Sequence, residues 1–211
     1  MRYFGTYERF ELPPDADIGQ ILSADNSVGD IYTIKLDLKD GEYTAYLINA
    51  FDKTIGFFDP SFSKKLALLS ANGLKEKAIL SFIAYTADDD KGKYWGEMCV
   101  ICYDPAYEEQ FDRFIDALAA RISDDVRPVV DFGDDTAKEI IDSDGNWLPS
   151  QNVILPDQSK DRAYIKRRKR MVEKAVDMGR SGNKGCYVAS WGIIILVVVL
   201  IVLGIMVLIG N

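Results

Sequence analysis

IYTIKLDL at 31–38, Asp40-Gly41, and EYTAYLINAF at 42–51 make up the stretch from which the fold is read. Apolar and polar residues alternate on both sides of Asp40-Gly41. That dipeptide has the chemistry of a two-residue turn, so the stretch predicts an antiparallel hairpin. Asp52-Lys53 leads into a short aromatic strand over 54–58. Asp59-Pro60 then supplies a helix cap and a proline at the first helical position, which predicts a helix over Phe62, Leu66 and Leu69 that stops at Gly73.

Two longer strands are predicted over 77–86 and 94–103, joined by a polar loop containing Asp88, Asp89, Asp90 and Gly92. Asp104-Pro105 repeats the cap device. A second helix over 106–123 places Tyr107, Phe111, Phe114, Ile115, Leu118 and Ile122 on one face, at the three-and-four spacing of a helix that packs on a sheet. Beyond Asp124 the pattern weakens to an edge strand over 126–132, interrupted by Pro128, a short helix over 136–141 and a turn at 142–146. The Gly-rich βα turns of a doubly wound sheet are absent. The expected class is therefore α+β, a small antiparallel sheet or partly open barrel with two packed helices, plus one C-terminal transmembrane helix.

That last element is YVASWGIIILVVVLIVLGIMVLI at 187–209, which carries no charged residue. As a helix it reaches about 35 Å, enough for a hydrocarbon core of about 30 Å. The segment before it, 160–184, holds ten basic residues against three acidic ones, a net of +7, whereas 1–159 holds 15 Lys and Arg against 30 Asp and Glu, a net of −15. The positive-inside rule keeps that basic side cytoplasmic and sends the C-terminus across. MRYFGTYERF at the start has neither an apolar h-region nor a small-residue cleavage site. The expectation is a tail-anchored, single-pass membrane protein in four parts: an acidic cytosolic domain (1–145), a connector (146–159), a basic juxtamembrane stalk (160–184) and the span (187–209).

In the stalk, Lys166, Arg167, Arg168, Lys169, Arg170, Lys174, Arg180 and Lys184 are the candidate contacts for anionic lipid headgroups. The same run would read as a nucleic-acid patch in a soluble chain, but its place beside a span favours the lipid reading. Ser181, Gly185 and Ala189 recur every fourth residue, a small-residue spacing that lets two helices approach, so self-association through the span is open.

Thr54-Ile-Gly-Phe-Phe-Asp-Pro60, followed by a helix over Leu66 and Leu69 and then Gly73, resembles the strand, turn and helix of HIRAN-type modules. Gly56, Phe57 and Pro60 match that family's Gly-aromatic pair and its Pro before the helix, and the resemblance implies a turn-helix binding edge there. The Asn-Pro-x-Asp stretch expected just upstream is missing, and the resemblance is confined to about 46–83. Nucleic-acid end binding, which some HIRAN proteins show, is not expected of a domain with net charge −15, because phosphates are bound chiefly by Lys and Arg.

No histidine occurs in the chain, which excludes His-based triads and His-ligated zinc. Walker, dinucleotide and kinase motif sets are absent, and Asp131-Phe-Gly133 stands without partner motifs. Cys99 and Cys102 form a CxxC, but inside a strand an offset of three sends the side chains to opposite faces, so core thiols are expected rather than a redox pair. Cys186, at the membrane edge, is open to acylation. No catalytic residue, metal ligand or cofactor is expected. The expected function is a non-enzymatic protein-interaction or regulatory module with the bilayer and an unidentified protein as partners. The alternative is a membrane-tethered divalent-metal enzyme using Asp131, Asp134, Asp135, Asp142 and Asp144.

Overall fold

Alternation of side chains in six antiparallel strands closes a barrel. The computed structural model describes residues 2–13, 16–86, 93–154 and 162–166, the last group and Gln20 by backbone alone. The strands are β1 (Tyr3–Glu11), β2 (Ile31–Lys39), β3 (Glu42–Ile48), β4 (Thr54–Phe58), β5 (Lys75–Thr86) and β6 (Lys93–Tyr103), with β7 (Arg162–Lys166) added at the edge of β5. Their order is β2-β3-β4-β1-β6-β5, and the pairing of β2 with β5 closes the ring. The expected partly open barrel is thus a closed one. Closure rests on three register pairs, Ile31 with Ile79, Tyr32 with Ala78 and Thr33 with Lys77.

Local chemistry sets these elements as predicted between Ile31 and Gly73. Asp40 (φ 53°) and Gly41 (φ 83°) both adopt left-handed backbone, the requirement of a type I′ hairpin turn. After a single helical turn, α1 (Ile18–Ile21), the first long helix is α2 (Pro60–Ala71); at its start Asp59 Oδ1 accepts from the backbone N–H groups of Ser61 and Phe62 at 2.8 and 3.2 Å, and Gly73 (φ 83°) ends it. Buried Ser63 fixes α2 to the barrel: its hydroxyl accepts from Ala45 N–H at 3.0 Å and donates to Phe58 C=O at 3.1 Å.

The strand over Tyr3–Glu11 is absent from the sequence expectations, yet it pairs with β6 along its whole length, from Tyr3–Tyr103 to Glu11–Trp95, and meets β4 at Phe10–Phe58. The barrel interior is filled by Phe10, Ile34, Leu47, Phe58, Met98 and Val100, among others, with Phe62 and Leu66 of α2 packed against them. The outer face of β5 and β6 forms a second core. There Ile79, Cys99, Ile101 and Tyr103 lie under Phe111, Phe114, Leu118 and Ile122 of α3 (Glu108–Ser123), which follows a 3₁₀ turn at Pro105–Tyr107.

After α3 the chain returns across the barrel wall. α4 (Asp134–Asp142) packs on α3 with Ala137 and Ile140 buried; it is the short helix expected over 136–141, slightly longer, and it makes a third packed helix beside the two expected. The predicted edge strand over 126–132 reduces to a bridge between Pro128 and Asn152, with Val129 N–H donating to Gln151 C=O and Val153 N–H to Arg127 C=O. Proline there withholds a donor, and only a short two-stranded contact forms. Residues 146–154, expected to begin a connector, therefore pack as part of the domain, with Trp147 and Leu148 against the second core. Within the expected stalk, Arg162–Lys166 forms β7 on the barrel. Among the described residues no helix is long and apolar enough to cross a membrane. The expected span lies outside them.

Candidate functional site

The expected turn-helix edge is built, but packing and capping account for its residues. Gly56 is buried in β4, and a Cβ there would sit 2.5 Å from Phe10 Cδ2 and 2.7 Å from the Glu11 carbonyl oxygen. Glycine is needed because the Phe10 ring crosses directly over it. Phe57 is half-buried, its ring 6.5 Å from that of Tyr46 in an edge arrangement, and Pro60 lies exposed at the first turn of α2. Lys35, Asp37, Tyr46 and Ile48 of β2 and β3, with Asp52 and Thr54, line a depression of ≈ 500 Å³.

The five Asp candidates do not converge. Asp134 Oδ1 accepts from Tyr3 N–H at 3.0 Å, Asp135 pairs with Lys138 at 3.0 Å, and Asp131 and Asp142 are exposed. Asp144 (φ 54°) is held by Arg113, whose guanidinium donates to its carboxylate and, through Nε, to its carbonyl oxygen at 2.7 Å. Among the described residues no group of three or more Cys, Asp or Glu side chains is placed to hold a metal ion.

Cys99 and Cys102 are both buried and free. Cys99 belongs to the outer core under α3 and Cys102 to the barrel interior. Burial pushes both thiols up, that of Cys102 to about 12, so neither is a nucleophile at neutral pH.

Two features were missed by sequence reasoning. The first is the buried ion pair of Glu97 in β6 and Arg127 in the return segment. The Arg127 guanidinium lies 4.5 Å from the Tyr7 ring centroid and 5.7 Å from that of Phe82, and its Nη1 donates to Ile154 C=O at 3.1 Å. Tyr7 donates to Pro128 C=O at 2.9 Å. Burial raises the Glu97 carboxyl above its ordinary range, against the opposing pull of Arg127 and the Ser81 hydroxyl. With both side chains buried, the pair ties the return segment to the barrel wall.

The second feature is a groove of ≈ 320 Å³ between 129–132 and 147–151, lined also by Thr136 of α4. Its aromatic wall is the outer end of a file of rings running from the barrel. Tyr103 stacks on Phe111 (4.8 Å between centroids), Phe111 on Tyr3 (6.0 Å), Tyr3 on Phe132 (4.5 Å), and Phe132 meets the edge of Trp147 (5.5 Å). The Tyr3 hydroxyl donates to Val130 C=O at 2.9 Å and holds the inner strand of the groove. The groove is lined within 129–151 but floored by Tyr3 from the start of the chain, and no local motif announces that contact.

Charge is uneven along the chain. Residues 104–154, which include α3 and α4, carry 13 Asp and Glu against 4 Lys and Arg, a net of −9, whereas 31–86 carry 6 against 7, a net of +1. Lys166 closes β7, and the other candidate lipid contacts, Arg167, Arg168, Lys169, Arg170, Lys174, Arg180 and Lys184, lie outside the described residues, as does Cys186. No protein-family profile matches the chain, and no curated protein matches it in sequence.

Proposed function

We propose that this protein is a membrane-anchored interaction module: a single span over 187–209, a basic juxtamembrane segment on anionic lipid, and an acidic barrel domain presented on the cytoplasmic side to a protein partner. The observation that carries the anchor is the uncharged 23-residue run next to a segment of net +7. The module reading draws on the described domain, where the buried Glu97–Arg127 pair ties the return segment to the barrel and no group of three or more acidic or thiol side chains is placed to hold a metal ion. Scattered Asp residues give the metal-enzyme alternative no site to stand on, since metal catalysis needs several oxygens around one ion.

The test compares the full chain with one ending at Lys169, the limit of the compact unit. Both are fractionated with alkaline carbonate and used as affinity baits in mild neutral detergent. The full chain is expected to stay with membranes, the shorter one to be released, and both to retain the same protein. Carbonate extraction of the full chain overturns the anchor; failure of both baits to retain any common protein overturns the module.

A further inference from the structure

We infer that the groove between Phe132 and Trp147 is the docking site for the partner, and that its occupant is an extended segment of the partner chain bearing alternating Lys or Arg side chains. This rests on the interaction-module reading and adds the place and the chemistry. Four observations converge. The segment that lines the groove, 129–151, carries Asp131, Asp134, Asp135, Glu139, Asp142 and Asp144 against Lys138 alone, so a cationic segment is drawn to it over several ångströms. Its walls are aromatic, and Trp147 and Phe132 are each half-buried, which leaves ring surface for the stems and heads of Lys or Arg. Polar groups stand at its rim: Asp131 is exposed, with Thr136 and Gln151 beside it. A volume of ≈ 320 Å³ takes a few side chains of an extended peptide rather than a folded surface.

The support beneath the groove is rigid. Phe132 is stacked on Tyr3, which continues through Phe111 into the second core, and Val129 and Gln151 are joined by a backbone hydrogen bond of 2.9 Å. A preformed aromatic floor orders little on binding, so less of the interaction is spent on immobilising it. The acidic helices supply the field and the groove supplies the register.

The experiment uses the full chain in neutral-detergent micelles and a fluorescein-labelled (Arg-Ala)5 peptide, with (Glu-Ala)5 as the control, read by anisotropy. Saturable binding of the Arg peptide that weakens steeply from about 50 to about 300 mM salt is expected. Asp131→Asn and Thr136→Lys should each weaken it about three- to tenfold, and Asp37→Asn in β2, outside the groove lining, less than about twofold. No saturable binding at low salt, or equal loss in all three variants, overturns the site. If the peptide fails while the full chain still retains a specific protein in the bait experiment, the site falls and the module reading stands. If both fail, both fall.

Discussion

Arg127 in the return segment pairs with Glu97 in the middle of β6, and the contact is enclosed between the rings of Tyr7 and Phe82. Removing both charges from water costs several kcal/mol, which their attraction and added hydrogen bonds largely offset; removing one partner does not. Arg127→Met keeps an aliphatic stem but leaves Glu97 buried alone, and should cost about 3 to 5 kcal/mol at neutral pH. Glu97→Gln with Arg127→Met should recover most of that loss. The sign with pH follows from the raised carboxyl. Its favourable term is fully present below the ordinary carboxylate value and is lost as pH rises through the higher folded value. In Arg127→Met the lowering pull of the guanidinium is gone, so the loss should extend to higher pH. Urea melts of the three proteins from acidic to neutral pH check this; a deficit in Arg127→Met that grows on acidification would sink it.

Gly56 and Gly96 flank the Phe10 ring inside the barrel. A Cβ at Gly96 would lie 2.5 Å from Phe10 Cζ and 2.9 Å from the Phe82 carbonyl oxygen. Gly56→Ala and Gly96→Ala should each destabilise by about 1 to 3 kcal/mol, the usual cost of overpacking. Phe10→Leu combined with Gly56→Ala should cost less than the sum of the two single changes, because the smaller side chain yields the space. A denaturant-melt double-mutant cycle measures the coupling. Strict additivity would mean that the Glu11 carbonyl oxygen, 2.7 Å from the added Cβ, and not the Phe10 ring sets the need for glycine at 56.

Thiol chemistry gives a separate check on the barrel wall. Cys99 and Cys102 face opposite sides of β6, and both thiols are held up by burial. Iodoacetamide at mildly alkaline pH should leave both unmodified in the folded protein and alkylate both in urea, with tryptic mass spectrometry as the readout. A Cys99–Cys102 disulfide in native protein under mild oxidation would refute the opposed placement.

The sequence disclosed the elements whose rules are local. Asp40-Gly41, the Asp59-Pro60 cap and the apolar face of α3 all mark short-range geometry, and each element forms there. β1 escaped notice because it is covered on both faces. Tyr3 and Tyr7 pack outside while Phe4 and Phe10 pack inside, so no alternation of polar and apolar residues survives. Closure was equally hidden, since the contact of β2 with β5 joins residues more than forty positions apart through backbone hydrogen bonds that any side chain permits. The Glu97–Arg127 pair and the Phe132–Trp147 groove depend on the path of the return segment, which Pro128 makes irregular and which no periodicity marks.

β7 carries the last prediction. Arg162–Lys166 reads as the head of a basic stalk, yet its backbone pairs with β5 from Thr86–Arg162 to Ile83–Lys166, with a register shift between Ile83 and Ala84. β5 needs a partner there because β2 pairs with it only as far as Ile79, and an uncovered edge exposes unpaired N–H and C=O groups. A proline within β7 removes a backbone donor and fixes φ, so Ala163→Pro should loosen the strand while leaving its charge unchanged. The expected result is faster amide hydrogen exchange at residues 83–86, with protection at Val100 and Ile101 in the core of β6 retained and global stability lower by about 1 kcal/mol or less. Unchanged exchange at 83–86 would show that β7 does not cover this edge in solution. Exchange rising equally throughout β5 and β6 would show instead that β7 belongs to the cooperative core.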